Sequence, residues 1–413
     1  MQQIREKLKK EWKKYKVKEL GCLYGGLTGK NKDDFGEGKK FIPYMNVFRN
    51  SRIDVENMSL VKIDGKERQN KAVYGDIFFT GSSETPEDVG MSSVLLDESE
   101  EDVFLNSFCF GLRLNSFDVL MPEFARFLFR SPDLRKKISL LAQGSTRFNL
   151  SKKHFLDINL SLPSLNEQKK IAKILLRVDE DIENVGKTIK QTIKLKNGLM
   201  QGLLTKGIGH KKFKKTKLGI IPEEWDIALL DSVAKRGSGH TPSKSKPNYW
   251  NGGIKWVSLA DSSELDNRYI CSTDKEISED GIKNSSAVLH PAGTVILSRD
   301  AGVGKSAVLS CEMAVSQHFI GWQCGDSLSN FYLYYLFQNW KSEFERIATG
   351  TTIKTIGLQF FKDLKVPLPS YKEQKKIADI LTRVDDKIDV YKSIKSKLEI
   401  LKKGLMQDLF VSD

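Results

Sequence analysis

The sequence predicts an α+β chain: two mixed α/β domains separated by two long antiparallel helices, a coiled-coil-like spacer, with the halves related as a pseudo-two-fold internal repeat. Three observations predict it. First, residues 162–183, LPSLNEQKKIAKILLRVDEDIE, return as LPSYKEQKKIADILTRVDDKID at 368–389. LKNGLMQGLL from Leu195 likewise returns as LKKGLMQDLF from Leu401, so both matches lie 206 residues apart (162 to 368, 195 to 401). A repeat of that length and fidelity is a duplication. Second, apolar residues in each copy recur at steps of three and four: Ile171, Leu175, Val178, Ile182, Val185 and Ile189, then Ile377, Leu381, Val384, Ile388, Tyr391, Ile394 and Leu398. This draws a stripe along a helix, with charged residues on the other faces. Third, a whole domain lies between the copies, so the two stripes cover one another most simply as an antiparallel pair.

Each helix has a start signal. Ser164 with Glu167, and Ser370 with Glu373, fit the capping box, and no Pro follows in either copy. Roughly 40 residues per helix give a rod of about 60 Å at 1.5 Å per residue. Identity extends to Gln168, Lys169, Lys170, Arg177 and Asp179, which read as surface positions. A core requires only the stripe, so this points to one surface used twice. The expected boundaries are 1–161 for the first domain, 162–206 for the first helix, 207–367 for the second domain and 368–413 for the second helix.

In chain order, Ile4, Leu8, Trp12 and Tyr15 suggest a short amphipathic N-terminal helix, and VKEL at Val17 a strand entering the first domain. A Gly/Lys/Asp loop, Gly25 to Lys40, follows. FIPYMNVF and YGDIFFT read as strands, EDVFLNSFCFGLRL as two more, and the segment from Pro122 as helical. Residues 205–217, TKGIGHKKFKKTK, read as an exposed linker. The second domain repeats the plan with little shared sequence: Glu224-Trp225 echoes Glu11-Trp12, KWVSLAD stands where FIPYMNVF stood, and Gly144, Phe155 and Asp157 align with Gly350, Phe361 and Asp363. The helices share sequence and the domains share only a scaffold. One task therefore needs the same surface twice, and another needs two different surfaces.

Composition narrows the partner. The chain has 413 residues, a formal charge of +13 and 39% hydrophobic residues, enough for real cores. Its pI of about 9.2 favours a polyanion, most often nucleic acid. Cys22, Cys109, Cys271, Cys311 and Cys324 form no C-x-x-C pair, and with the five histidines they show no metal-ligand spacing. They read as thiols of a reducing compartment. The N-terminus has no apolar signal-peptide core and no run of 18 apolar residues occurs, so a cytoplasmic chain without membrane contact is expected.

No catalytic constellation emerges. GVGKS at Gly302–Ser306 resembles a phosphate loop, but the pattern needs Gly where Arg299 stands. His154, His210, His240, His290 and His318 show no carboxylate or Cys companion in the sequence. No amino-methyltransferase signature Asn/Asp-Pro-Pro-Phe/Tyr is present. A binding protein without catalytic residues, cofactor or metal is expected. Candidate DNA contacts are Lys30, Lys32, Lys39, Lys40 and Arg147 in the first domain, and Arg236, His240, Lys244, Lys246, Tyr249, Arg299 and Lys305 in the second.

The doubled LPS-x-x-EQKKIA-x-IL-x-RVD and LK-x-GLMQ, joined to two divergent domains, resemble the specificity subunit of a Type I restriction–modification enzyme. GLTGKNKDDFGEGKKFIPYMNVF and RGSGHTPSKSKPNYWNGGIKWVSLAD resemble openings of that family's target-recognition domains. The resemblance covers nearly the whole chain. It implies a non-catalytic subunit that binds double-stranded DNA, each domain reading one half of an asymmetric bipartite site. It implies that the helices fix the gap and dock two methyltransferase subunits, with restriction/translocase subunits joining that core. Leu199, Met200, Leu203, Leu405, Met406 and Leu409 are the candidate partner contacts, packing within the helix pair being the other reading. The competing functions are a self-contained DNA methyltransferase or nuclease, and an orphan DNA-binding scaffold without active partners.

Overall fold

The computed structural model describes residues 12–350 and 354–410. Two helices, Leu165–Lys206 and Tyr371–Phe410, are the longest elements. The chain divides into two compact units, residues 1–186 with 393–413, and residues 187–392. The division cuts both long helices. Each unit therefore holds one mixed α/β domain, the first half of the helix that follows it, and the second half of the other helix.

Within the first unit these two helix segments run antiparallel. Ile171, Ala172 and Leu175 share a core with Met406 and Phe410, and farther along Asp179 Oδ1 meets Lys402 Nζ at 2.6 Å. Within the second unit Met200 and Leu204 share a core with Ile377 and Leu381, and Lys196 Nζ meets Asp385 Oδ1 at 2.7 Å. Asp385 and Lys402 are the repeat counterparts of Asp179 and Lys196, so a single ion pair is made twice. Each carboxylate takes a second donor from its domain: Arg126 Nη2 at 2.6 Å for Asp179, the Tyr335 hydroxyl at 2.8 Å for Asp385. Each lysine also lies over a domain ring, Lys402 5.7 Å from Phe127 and Lys196 5.6 Å from Tyr335. Burial, then the Asp385 charge, push the Tyr335 phenol far above its ordinary pKa, which keeps it a donor.

Gln168 and Gln374 are wholly buried. Gln168 Oε1 accepts from Met121 N at 3.0 Å, and its Nε2 donates to Val119 O and Pro163 O. Gln374 does the same with Ser329 N at 2.8 Å, Ser327 O and Pro369 O. Each amide thus satisfies backbone groups at the foot of a domain helix, Pro122–Leu128 or Asn330–Asn339. The surface reading of Gln168 and Asp179 is therefore corrected: their identity in both copies reflects contacts inside the chain. Lys169, Lys170 and Arg177 are exposed, as are Lys375, Lys376 and Arg383.

The caps have a further use. The Ser164 and Ser370 hydroxyls accept from Glu167 N and Glu373 N. The carboxylates take tryptophan indoles, Trp12 Nε1 at 3.4 Å and Trp225 Nε1 at 3.1 Å. The echo of Trp12 in Trp225 is thus a repeated contact between a domain's entry and its helix start.

The domains share one architecture. The first has a sheet of strands 21–25, 109–114, 77–80 and 92–94, and a second of 59–61, 35–42, 103–105 and 71–72. The second has a sheet of 234–238, 319–324, 295–298, 306–309 and 269–270, and another of 275–277, 250–257, 313–315 and 289–290. Strands 35–42 and 250–257 carry matching bulges, each followed by a parallel pairing, with 103–105 and 313–315 respectively. Aromatic residues fill the cores: Phe79, Phe110, Phe129 and Phe155 in one, Trp322, Phe337, Phe344 and Phe361 in the other.

Several local expectations are corrected. Val17–Leu20 is a helical turn after a strand at Lys13–Lys16. Val17 and Leu20 are both buried, which a helical turn allows and an alternating strand does not. Of the expected N-terminal helix, residues 1–11 lie outside the described residues, Trp12 precedes the strand and Tyr15 is in it. FIPYMNVF splits at Pro43 into the end of a strand and the helix Tyr44–Arg49. The basic linker holds half a hairpin, Phe213–Thr216 pairing with Gly219–Pro222. The five cysteines are free thiols.

Gln168→Ala strands three backbone partners and is expected to destabilise the first unit by roughly 1–3 kcal/mol, while Lys169→Ala stays within about 0.5. Chemical denaturation monitored at Trp12, the tryptophan of that unit, checks the contrast.

Candidate nucleic-acid interface

Three segments meet at matching places in the two domains. The parallel strand 103–105 leads through a turn, Asn106 to Phe108, into 109–114. Its counterpart 313–315 leads through Ser316 to His318 into 319–324. The turns carry the same backbone bonds: Asn106 N to Ile42 O, Cys109 N to Asn106 O and Gly81 N to Phe108 O, against Ser316 N to Val257 O, Phe319 N to Ser316 O and Arg299 N to His318 O. The second segment passes close by, Leu27 N donating to Leu105 O and His240 N to Val315 O. A Cβ on Gly26 would lie 1.9 Å from Asn106 O, and one on Gly239 2.1 Å from Val315 O, so this approach admits only glycine. The third segment bonds through Leu150 N to Gly81 O and Ile356 N to Arg299 O. The basic loops after Leu27 and His240 spring from this junction.

The frame is shared but the side chains on it differ. In the first domain Phe108 is 57% exposed, and the Arg147 guanidinium lies 5.5 Å from its ring. Arg147 Nε donates to Ser82 Oγ at 3.2 Å, and the Tyr44 hydroxyl to Ser82 O at 2.8 Å. In the second, His318 Nδ1 lies 2.7 Å from Asp300 Oδ1. The Thr241 hydroxyl donates to Gln317 Oε1, and Gln317 Nε2 lies 3.5 Å from His318 Nε2.

The candidates named from sequence divide. Lys32, Lys39, Arg147, Lys244 and Lys246 are exposed on this face or its loops, with Tyr249 half-buried at the loop's end. Four others hold the fold. Lys30 Nζ is 2.6 Å from Glu67 with its side chain 7% exposed, and Arg236 Nε is 3.0 Å from Asp231. Arg299 Nε donates to Ile356 O at 3.2 Å, and Lys305 Nζ to Ser262 O at 3.0 Å rather than pointing to solvent. His240 contributes backbone, its carbonyl accepting from Trp256 Nε1 at 3.0 Å. Two histidines do have carboxylate companions: His318 with Asp300, and His210 Nε2 with Glu373 at 2.9 Å. Both pairs form only when distant segments fold together. Among the described residues no group of side chains could hold a metal ion.

The expected partner contacts are packed inside the chain. Met200 and Met406 are buried in the two cores, and Leu199, Leu203, Leu405 and Leu409 are half-buried against them. Packing within the chain therefore accounts for both methionines and for part of the surface of each leucine.

The model of the family described as Type I restriction modification DNA specificity domain matches residues 9–195 and again residues 222–400. The chain belongs to this family. A type I specificity chain is similar to it over almost its full length: one from Methanocaldococcus jannaschii, described as the MjaX specificity subunit, is 28% identical over 411 residues, 96% of this chain and 92% of that one. The MjaVIII specificity subunit of the same organism is 29% identical over 296 residues, 68% of each chain. The S subunit of the M. genitalium type I restriction-modification system has the same fold, with a TM-score of 0.55 at 16% identity, covering 98% of this chain and 97% of that one. A chain from a structure of type I assembly and conformational transition gives 0.64 at 16%, covering 97% and 98%.

Sequence reasoning missed Phe108, Asp300 and Gln317, and named His318 without its carboxylate companion. Phe108, Gln317 and His318 carry one sequence signal, their position just before the core strands that begin at Cys109 and Phe319, while Asp300 follows the strand 295–298. It also misassigned Lys30. The Lys30 ammonium, then Gln69 and the Asp64 amide, hold the Glu67 carboxyl down at about 2. A depressed carboxylate adds stability above its ordinary value near 4.5, and loses it as pH falls through about 2. Lys30→Met is therefore expected to raise the Glu67 pKa, with the remaining bonds keeping it below 4.5. A carboxyl NMR titration reads the shift.

Proposed function

We propose that this chain is the DNA-recognition subunit of a Type I restriction–modification complex, each domain reading one half of an asymmetric bipartite site and the paired helices setting the gap. Specificity subunits of type I systems are non-catalytic DNA-recognition subunits that work with methyltransferase and restriction partners. The observation that carries the finer reading is the contrast between a repeated frame and unlike side chains. Duplicated helices and matched domain scaffolds present Phe108 and Arg147 on one side, Gln317 and His318 on the other.

A 42-residue helix is about 63 Å long, close to two turns of B-DNA at ~34 Å each. The recruited subunits are two methyltransferases, since the candidate docking surface occurs twice. Ile174 and Leu401 are exposed in one unit, and their counterparts Ile380 and Leu195 in the other, at 37% to 57%. Lys169, Lys170 and Arg177, with Lys375, Lys376 and Arg383, surround them with repeated positive charge. Exposed apolar residues retained in both copies suit a permanent partner. No helix of the described residues is long and apolar enough to cross a membrane.

The test is to express the chain with a methyltransferase partner and map modified bases across a genome. A bipartite motif with unlike halves is expected, and modification without sequence preference contradicts the reading. Deleting one heptad from the middle of each helix should narrow the gap by about 3 base pairs and leave both halves intact. Replacing residues 209–366 by another member's domain should change one half-site alone. An unchanged gap refutes the ruler.

A further inference from the structure

The turns at Asn106–Phe108 and Ser316–His318 share every backbone bond described above, and differ in what they present. Backbone that matches bond for bond places its side chains at equivalent points. Whatever one turn touches on its half of a duplex, the other touches on its own half. Phe108 is the most exposed aromatic among the described residues, on a turn whose flanking residues, Asn106 and Cys109, are buried. Folding alone gives no reason to leave a phenyl ring there. Arg147 is ordered beside it by the ring and by Ser82, which aims a planar fork outward from a fixed base. The cleft next to it, about 570 Å³, has Tyr44, Glu84 and Thr146 on its walls.

In the second domain the turn carries an amide and an imidazole, Gln317 standing where Ser107 stands and His318 where Phe108 stands. Thr241 anchors Gln317 Oε1, and Asp300 takes the Nδ1 side of His318, which leaves Nε2 on the outer side of the ring. Asp300 is itself fixed at the junction by its bridge to Thr355. Anchored polar side chains on a rigid turn lose little freedom on binding, which suits them to read base edges rather than follow the phosphates.

We propose that these two turns, the first together with Arg147 on the neighbouring segment that enters strand 148–150, are the base-reading edges of the subunit: Arg147, backed by Phe108, engages a guanine edge in the half-site of the first domain, and Gln317, braced by Thr241 and His318, engages an adenine edge in the half-site of the second. The guanidinium fork matches guanine O6 and N7, and a glutamine amide matches adenine N6 and N7. The phenyl ring packs against a neighbouring base or thymine methyl. This assignment rests on the DNA-recognition reading above.

The experiment uses the full chain in complex with its methyltransferase partner. Methylation rates are measured on duplexes carrying the mapped site and on every single-base-pair substitution of it. Arg147→Lys keeps the charge and loses the fork. It should reduce discrimination at one G·C pair of the first half-site by about 5- to 150-fold and leave the second half-site untouched. Gln317→Ala should do the same at one A·T pair of the second half-site only. Phe108→Ala should weaken the base preference beside the Arg147 position. Each variant is melted beside the parent, and these exposed positions should leave the transition in place. Full rescue of discrimination by Arg147→Lys, or a loss spread evenly over all sequences, makes Arg147 a phosphate contact and overturns the assignment. Unchanged preferences in both Arg147→Lys and Gln317→Ala overturn it as well. A parent complex with no preference at any position removes the underlying DNA-recognition reading, and the assignment with it.

Discussion

One ion pair made twice holds this chain in register. Asp179 with Lys402, and Asp385 with Lys196, join opposite copies of the same helix, and each carboxylate also takes a hydrogen bond from its own domain. Slipping the helices by one turn would part both lysines from both carboxylates and pull Met406 and Met200 out of their cores. Because the pairs are partly buried, breaking one partner leaves a charge without compensation, so an alternative register is disfavoured more strongly than the pair is stabilising. The apolar stripe draws the helices together, and the charges decide how they align.

Gln168 and Gln374 extend that fixation to the domains. Each amide bonds two backbone groups at the start of a domain helix and a third just before its own long helix, and a tryptophan indole bonds the glutamate one residue before it. The domain and the start of its helix are therefore one body, tied by groups that tolerate few replacements. Above that base a matching frame leads to the junction of the three segments, where the glycines at 26 and 239 permit a backbone contact no side chain could share. Sequence freedom begins where those constraints end, at the turns and the basic loops.

This division explains what the sequence made legible. The helices could be read because their stripe and start signals are local and were written twice. The correspondence of the two domains survived in Gly144 and Gly350, Phe155 and Phe361, because the backbone and core there allow little change. Short elements were read poorly where burial overrode local preference, as at Val17–Leu20 and Tyr44–Arg49. The charged candidates were only half legible. A lysine that binds a buried partner, such as Lys30 or Lys305, has the same letter as one on an open loop, such as Lys32 or Lys244. The turn residues and the histidine–carboxylate pairs depend on contacts between segments far apart in sequence, and no spacing rule finds those.

The central claim is that each helix carries both halves of its own contact, so that one copy is complementary to another copy of itself. A chain of residues 1–206, holding one domain and one helix, tests it most directly, because Lys196 and Met200 of a second copy can stand in for Lys402 and Met406. Analytical ultracentrifugation at micromolar concentration should give a dimer, and Lys196→Asp, which sets two carboxylates against each other, should dissociate it while Lys196→Arg keeps it. A monomeric fragment, or a dimer indifferent to Lys196→Asp, would contradict the account.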